Sequence, residues 1–139
     1  TFSAAFGAVF LVWPAAKYAH MLGKLLREHG SNVWLLNTGW SGGAYGVGKR
    51  MKLAYTRAMV DAILSGALDN APTTTDPIFG LSSPTAVPNV PSEVLTARNT
   101  WADKDAYDNQ ARKLAKMFHE NFAQFKGASD AIRAAGPKG

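Results

Sequence analysis

The sequence predicts an α/β fold, with short strands and several helices that include a long one near the C-terminus. Three observations lead to this prediction. An apolar run over residues 5–12 shows no alternation, which is typical of a strand buried on both faces. A helical pattern follows, and a second apolar run comes at residues 33–36. This strand, helix, strand order supports a parallel sheet, and a glycine-rich loop leaves the second strand.

The first helix is predicted between Pro14 and Gly30. Proline is favoured in the first turn of a helix, and glycine is a common helix stop. Apolar side chains between them recur at spacings of three and four residues, which places them on one buried face. They are Tyr18, Met21, Leu22, Leu25 and Leu26. A second helix is predicted over 56–64, because its apolar side chains follow the same period and Gly66 can end it.

The second half of the chain begins with a proline-rich stretch at residues 70–91, which cannot be regular helix. We expect extended chain that wraps over the surface of a larger body, anchored by Ile78, Phe79 and Leu81. A flexible linker is the alternative. The longest helix is then predicted over 104–125.

That long helix has two supporting signals. Asp103 can serve as its N-cap, and its apolar side chains return to one face: Ala111, Leu114, Ala115, Phe118, Phe122 and Phe125. A shorter helix is predicted over 129–135, where Gly136 and Pro137 end it.

The glycine loop within residues 37–56 is the candidate ligand site. Glycines allow positive φ angles and close backbone approach, so amide groups can converge on an anion beside Lys49 and Arg50. Gly43 to Lys49 nearly matches a phosphate-binding loop, but Arg50 stands where the metal-binding hydroxyl belongs. The alternative is a tight connection with solvated cations. Trp40, inside the loop, would either cover a ligand or pin the loop, and pinning is favoured.

Composition narrows the function classes. With 139 residues and 47% hydrophobic content, one domain or part of one is expected. The net charge of +5 comes from cations spread along the chain, which argues against a nucleic-acid partner. Cysteine is absent, so a disulfide framework is excluded. Residues 2–13 are too short to span a membrane and lack a signal-peptide start, so a cytoplasmic location without membrane contact is expected.

No self-contained catalytic or metal site is predicted. The three histidines, His20, His29 and His119, lie far apart on predicted helices without partners at metal-ligand spacing. Asp61, Asp69 and Asp76 likewise form no recognisable acid and base pair. The chain starts at Thr1 with an apolar run, which favours a segment of a longer protein.

Several motifs, in order along nearly the whole chain, resemble the C-terminal part of the ATP-dependent phosphoenolpyruvate carboxykinases. They are Phe2-Ser3-Ala4, Phe6-Gly7-Ala8, Asn37-Thr38-Gly39-Trp40, Gly46-Val47-Gly48-Lys49-Arg50-Met51, Tyr55-Thr56-Arg57-Ala58, Asp76-Pro77-Ile78-Phe79-Gly80, Val90-Pro91-Ser92-Glu93-Val94-Leu95 and Arg98-Asn99-Thr100-Trp101-Ala102-Asp103. The sequence departs from the family at Ala5, at Val9 and over residues 14–16. The resemblance implies that residues 1–139 are the C-terminal segment of the carboxykinase nucleotide-binding domain.

The resemblance also implies a reaction: oxaloacetate and ATP give phosphoenolpyruvate, ADP and carbon dioxide, a step of gluconeogenesis. In the family, an arginine and an apolar neighbour corresponding to Arg50 and Met51 contact the nucleotide. Thr56 corresponds to a threonine at the adenine end. A guanidinium can bind ribose or phosphate oxygens, a methionine can flank a purine, and a hydroxyl can bond a base nitrogen. This segment would then supply the adenosine side of the ATP pocket.

The remaining parts of such a site are expected upstream of Thr1. They include the phosphate loop, the Mg²⁺ and Mn²⁺ ligands and the groups that bind oxaloacetate, so this segment alone is expected to be inactive. Its partner would be the upstream part of the same enzyme, which predicts exposed apolar surface over residues 2–12 and in the proline-rich stretch. A non-catalytic nucleotide-binding or structural module is the alternative function, and a basic nucleic-acid-binding domain is the third.

Overall fold

The computed structural model describes residues 8–139, in which helices dominate and strands are very short. The helices are α1 (Ala15–His29), α2 (Leu53–Leu64), α3 (Ser92–Leu95), α4 (Ala97–Thr100), α5 (Lys104–Phe122) and α6 (Asp130–Ala134). The strands are β1 (Trp40–Ser41), β2 (Lys49–Arg50), β3 (Thr73–Thr75) and β4 (Ser82–Pro84). The predicted mixture of helices and short strands is therefore confirmed.

The helix predictions from periodicity and capping are confirmed with small shifts. Gly30 ends α1 in the left-handed conformation at φ +60°, and its N–H donates to the Leu26 carbonyl. The Asp103 carboxylate accepts from the Ala106 N–H at 2.9 Å, as expected of an N-cap. Helix α2 starts three residues before the predicted start, and α5 ends at Phe122 rather than 125. Two short helices, α3 and α4, were not predicted.

The predicted parallel sheet is wrong for the described residues. Residues 8–10 form a 3-10 helical turn, and residues 33–36 have no regular secondary structure. Residues 5–7 of the predicted first strand lie outside the described range. Val33 and Leu35 are largely exposed, so this run is not buried on both faces. A strand needs a hydrogen-bonded neighbour, and nothing in the described range pairs with 33–36.

The proline-rich stretch folds as an antiparallel hairpin of β3 and β4, in the register Thr73↔Pro84 to Thr75↔Ser82. The Asp76 carboxylate closes its turn by accepting from the N–H groups of Ile78 and Phe79 at 2.8 and 2.7 Å. Both of those predicted anchors are half-buried, whereas Leu81 is 50% exposed and anchors nothing.

The main core lies between α2, with the turn that follows it, and the segment that follows this hairpin. Its buried side chains are Met59, Ala62, Leu68, Val87 and Val90. Val87 and Val90 thus anchor the proline-rich stretch within this chain, so the prediction that this stretch needs an outside partner is wrong for them. Ala111 and Ala115 are buried on α5.

The N-terminal quarter of the chain is poorly covered. None of the described side chains of α1 is buried, and Val9, Phe10 and Val12 are 84–89% exposed. For Val9, Phe10 and Val12 this agrees with the exposed apolar surface expected over residues 2–12. The buried face predicted for the first helix is wrong for the described residues, since Met21, Leu22 and Leu25 are 49–60% exposed. Periodicity aligns apolar side chains on one face, but burial needs another element to cover that face. Among the described residues, no helix has both the length and the apolar character needed to cross a bilayer.

Candidate functional site

The glycine loop is a β-hairpin rather than a strand-to-helix connection. Strands β1 and β2 pair antiparallel, with Trp40 opposite Arg50 and Ser41 opposite Lys49. The Met51 N–H donates to the Gly39 carbonyl at 3.0 Å and extends the pairing by one step. Lys49 and Arg50 of β2 and the following Met51 are therefore consecutive residues that lead toward α2.

Hydrogen bonds inside the chain use several amides of the loop. The N–H groups of Val47 and Gly48 both donate to the Ala44 carbonyl, at 3.0 and 2.9 Å. The Gly42 N–H donates to the Thr100 hydroxyl at 3.0 Å. These three amides are not free to converge on an anion, which weakens the match to a phosphate-binding loop. This agrees with the mismatch at Arg50 in the sequence.

Trp40 packs within the loop. Its ring meets the ring of Tyr45 edge to face, with centroids 5.7 Å apart. Tyr45 is 89% exposed even with this contact, which joins the loop tip to β1. The geometry fits the favoured prediction that Trp40 pins the loop.

An open cavity of about 330 Å³ lies between the hairpin and the start of α2. Its lining residues are Ser41, Gly42, Val47, Gly48, Lys49, Arg50, Met51, Lys52, Tyr55, Val94 and Thr100. Three of them are cations and none is a carboxylate. In the described part of the chain, none of the three cations forms an ion pair. The cavity therefore favours an anionic ligand that has some apolar surface.

The structure brings together two of the three residues expected to contact the nucleotide. Arg50 is exposed on β2, and Met51 is half-buried at the cavity wall. Thr56 is half-buried in α2 and does not line the cavity. Met51 also lines a second, apolar cavity of about 240 Å³, so its side chain lies in the wall between the two.

Several residues that line the cavity were not expected as ligand contacts, among them Lys52, Val94 and Thr100. Lys52 stood out in the sequence only as a neighbour of Lys49 and Arg50, and its ammonium lies 5.6 Å from the Tyr55 ring centroid. Val94 and Thr100 come from α3 and α4, more than forty residues further along the chain. No local pattern signals such contacts.

Helix α4 is held firmly to α5. The Arg98 guanidinium donates to both carboxylate oxygens of Asp108, at 2.8 and 3.1 Å. The bond to Arg98 lowers the pKa of Asp108, and the same bond raises the pKa of Arg98. The Lys104 ammonium donates to the carbonyls of Asn99 and Trp101, at 3.0 and 2.6 Å, and so caps the end of α4.

The described residues do not build a metal site. His20, His29 and His119 are exposed on α1 and α5, as the sequence predicted. Within residues 8–139, no group of three or more histidine, aspartate or glutamate side chains could hold a metal ion.

Burial, followed by the charge of Asp76, raises the pKa of Tyr107, which packs edge to face on Trp101.

Comparisons with known proteins identify the family. A family model described as phosphoenolpyruvate carboxykinase matches residues 1–93. The chain is 54% identical over 139 residues to the phosphoenolpyruvate carboxykinase (ATP) of Caldanaerobacter subterraneus subsp. tengcongensis. It is 56% identical over 136 residues to the protein of that name from Geobacillus thermodenitrificans, and 53% identical over 139 residues to that from Thermus thermophilus.

Those alignments cover 98–100% of this chain but only 26–27% of each relative. The chain thus spans about a quarter of the length of the curated relatives that it matches. It belongs to the ATP-dependent phosphoenolpyruvate carboxykinase family.

Proposed function

We propose that the protein containing this chain is an ATP-dependent phosphoenolpyruvate carboxykinase. It would convert oxaloacetate and ATP to phosphoenolpyruvate, ADP and carbon dioxide, a step that supplies gluconeogenesis. Within it, this chain would form the adenosine side of the ATP pocket. The main support is the cavity beside β2, because it combines three cations with the apolar side chains of Met51 and Val94.

The chemistry of the cavity suits a nucleoside more than a bare phosphate. The Arg50 guanidinium offers several N–H donors in a plane, which can bind ribose hydroxyls or phosphate oxygens. The Met51 thioether is polarisable and can lie against the purine face. Thr56 would bond a base nitrogen through its hydroxyl, which requires its side chain to reach a ligand that extends past the cavity toward α2.

Phosphoryl transfer depends on positioning and on cationic stabilisation of the transferred group. The described residues offer no fit for Mg²⁺ or Mn²⁺, so we assign their ligands to parts of the enzyme outside this chain. What this chain contributes is binding: it orients the adenosine end so that the reacting phosphate is held at a fixed distance from it.

The test uses the full-length native protein and a coupled assay for phosphoenolpyruvate formation. We expect Arg50→Ala to raise the KM for ATP by about tenfold or more, because a hydrogen bond to a charged group is lost. The KM for oxaloacetate should stay near the wild-type value. Met51→Ala and Thr56→Ala should raise the KM for ATP by smaller factors.

Arg57→Ala is the matched control, since Arg57 is exposed on α2 and does not line the cavity. If Arg50→Ala behaves like Arg57→Ala, the nucleotide contact is disproved. If the native protein binds ATP but forms no phosphoenolpyruvate, the enzymatic proposal fails and a non-catalytic nucleotide-binding module is favoured.

A further inference from the structure

The side chain of Thr100 connects α4 to the glycine loop. Its hydroxyl donates to the Ala97 carbonyl at 2.7 Å, which uses its one hydrogen. The hydroxyl oxygen is then left as an acceptor, and it accepts from the Gly42 N–H at 3.0 Å. This bond is partly buried and spans 58 residues of sequence. It is therefore a directed contact between two distant elements.

The approach of the two backbones is close at this point. Gly42 has a φ of +82°, and a Cβ added there would lie 3.1 Å from the Thr100 carbonyl oxygen. A larger residue at 42 would push the loop away from α4. The position therefore needs glycine for its conformation as well as for its space.

Gly42 directly follows β1, so its position governs the hairpin. Ser41 is paired with Lys49, and Trp40 with Arg50. Movement of Gly42 would be passed through these pairs to the two cations of β2. Thr100 itself lines the same cavity.

The other end of the contact is fixed. Helix α4 is tied to α5 by the bidentate bond between Arg98 and Asp108, and Lys104 caps its last carbonyls. A hydroxyl on a helix that is bonded to its neighbour in this way can position the loop to which it is bonded.

We propose that Thr100 is a positioning residue for the nucleotide cavity, which acts by holding the glycine loop through the Gly42 N–H so that Arg50 and Met51 keep their places. This rests on the proposed function of the cavity. Thr100 need not touch the nucleotide, because its effect passes through the hairpin.

The test compares Thr100→Val, which removes the hydroxyl but keeps the shape, with Thr100→Ser, which keeps the hydroxyl. In the full-length enzyme, we expect Thr100→Val to raise the KM for ATP by about five- to tenfold, the factor for one hydrogen bond. Thr100→Ser should restore most of it, and kcat and the KM for oxaloacetate should change by less than about twofold. Thr85→Val is the matched control, since the Thr85 hydroxyl bonds only the Pro72 carbonyl among the described residues.

A second readout needs no nucleotide: hydrogen exchange of the peptide covering residues 40–48. Thr100→Val should speed its exchange about five- to tenfold, and neither Thr100→Ser nor Thr85→Val should do so. Unchanged exchange in Thr100→Val, or equal behaviour of the valine and serine variants, would overturn the proposal. A parallel loss in kcat and in both KM values would also overturn it, since that indicates general damage.

Arg50→Ala separates this inference from the function on which it rests. If Arg50→Ala raises the KM for ATP and Thr100→Val does not, the inference alone fails. If Arg50→Ala leaves that KM unchanged, the assigned nucleotide site fails, and the exchange measurement still decides whether Thr100 holds the loop.

Discussion

Gly48 lies at the narrowest point of the β1–β2 hairpin. A Cβ added at Gly48 would overlap the Gly43 carbonyl oxygen and lie 2.9 Å from the Ser41 carbonyl oxygen. Both neighbours are backbone, so neither can move aside without opening the loop. Position 48 therefore needs glycine, whose side chain is a single hydrogen atom, if Lys49 and Arg50 are to keep their register.

We expect Gly48→Ala to destabilise the hairpin by about 2 kcal/mol or more, the usual scale of an overpacked site. Hydrogen exchange over residues 40–50 and the KM for ATP of the full-length enzyme would both increase. Gly46→Ala is the control, because a Cβ at Gly46 meets no atom of the described residues within 4 Å. Its φ of +88° costs a non-glycine residue about 1–2 kcal/mol. If Gly48→Ala is the milder of the two changes, the close approach is not what limits the loop.

Helices and strands are predictable from the sequence where the residues that define them lie close together in the chain. Helices α1 and α5 were found because their period, and the stops and caps at Gly30 and Asp103, lie within a few residues of one another. The apolar run at residues 33–36 wrongly predicts a strand, because such a run does not specify a hydrogen-bonded neighbour. The two hairpins were missed since strands of two or three residues are too short to show alternation.

The candidate site likewise combines residues that are close together in the sequence with residues that are far apart in it. Lys49 and Arg50 are identifiable because they directly follow a glycine-rich stretch, whereas the resemblance to the family is what points to Met51, and all three line the cavity. Thr100 and Val94 reach it from α4 and α3, so only the fold could add them. The placement of Thr56 as a ligand contact stays a prediction.

The ion pair between Arg98 of α4 and Asp108 of α5 makes the stability of the fold depend on pH, and the sign of this dependence follows from the pKa shift of Asp108. Arg98 lowers the pKa of Asp108 in the folded state below its ordinary value. The pair therefore stabilises the fold fully above the ordinary aspartate pKa of about 4, and the effect is lost as pH falls through the lowered value.

We expect Asp108→Asn to lower the unfolding midpoint of the full-length protein at pH 7, and this difference from wild type to shrink below about pH 4. Glu120→Gln is the control, because among the described residues Glu120 forms only an exposed pair with Lys116, at 3.9 Å on the same helix. It should change the midpoint little at any pH. A difference for Asp108→Asn that persists at low pH would show that the ion pair is not its cause.

The chain as a whole exposes more surface than a compact protein of the same mass would. The chain has 10319 Å² of accessible surface at a mass of 14.9 kDa. A compact protein of that mass exposes about 7,000 Å², so roughly 3,000 Å² is in excess. A standard protein interface covers about 800 Å² on each partner. Since the chain is about a quarter of its relatives' length, the rest of such a protein is the natural cover for this surface.

Helix α1 is where that cover can be tested. Met21, Leu22 and Leu25 are 49–60% exposed on one face, while Lys24 pairs with Glu28 at 3.5 Å on the exposed polar side. If the rest of the full-length protein packs on the apolar face, Leu22→Asp buries an unpaired carboxylate. The expected loss is about 3 kcal/mol or more of folding free energy.

Lys24→Gln removes only an exposed ion pair and should cost less than about 1 kcal/mol. Chemical unfolding of the full-length variants measures both changes, and hydrogen exchange over residues 15–29 reports whether α1 is protected. Equal, small effects of Leu22→Asp and Lys24→Gln, with fast exchange of α1, would mean that this face is solvated in the full-length protein. A large loss confined to Leu22→Asp would identify α1 as part of a buried contact, since a carboxylate on a solvated face costs little.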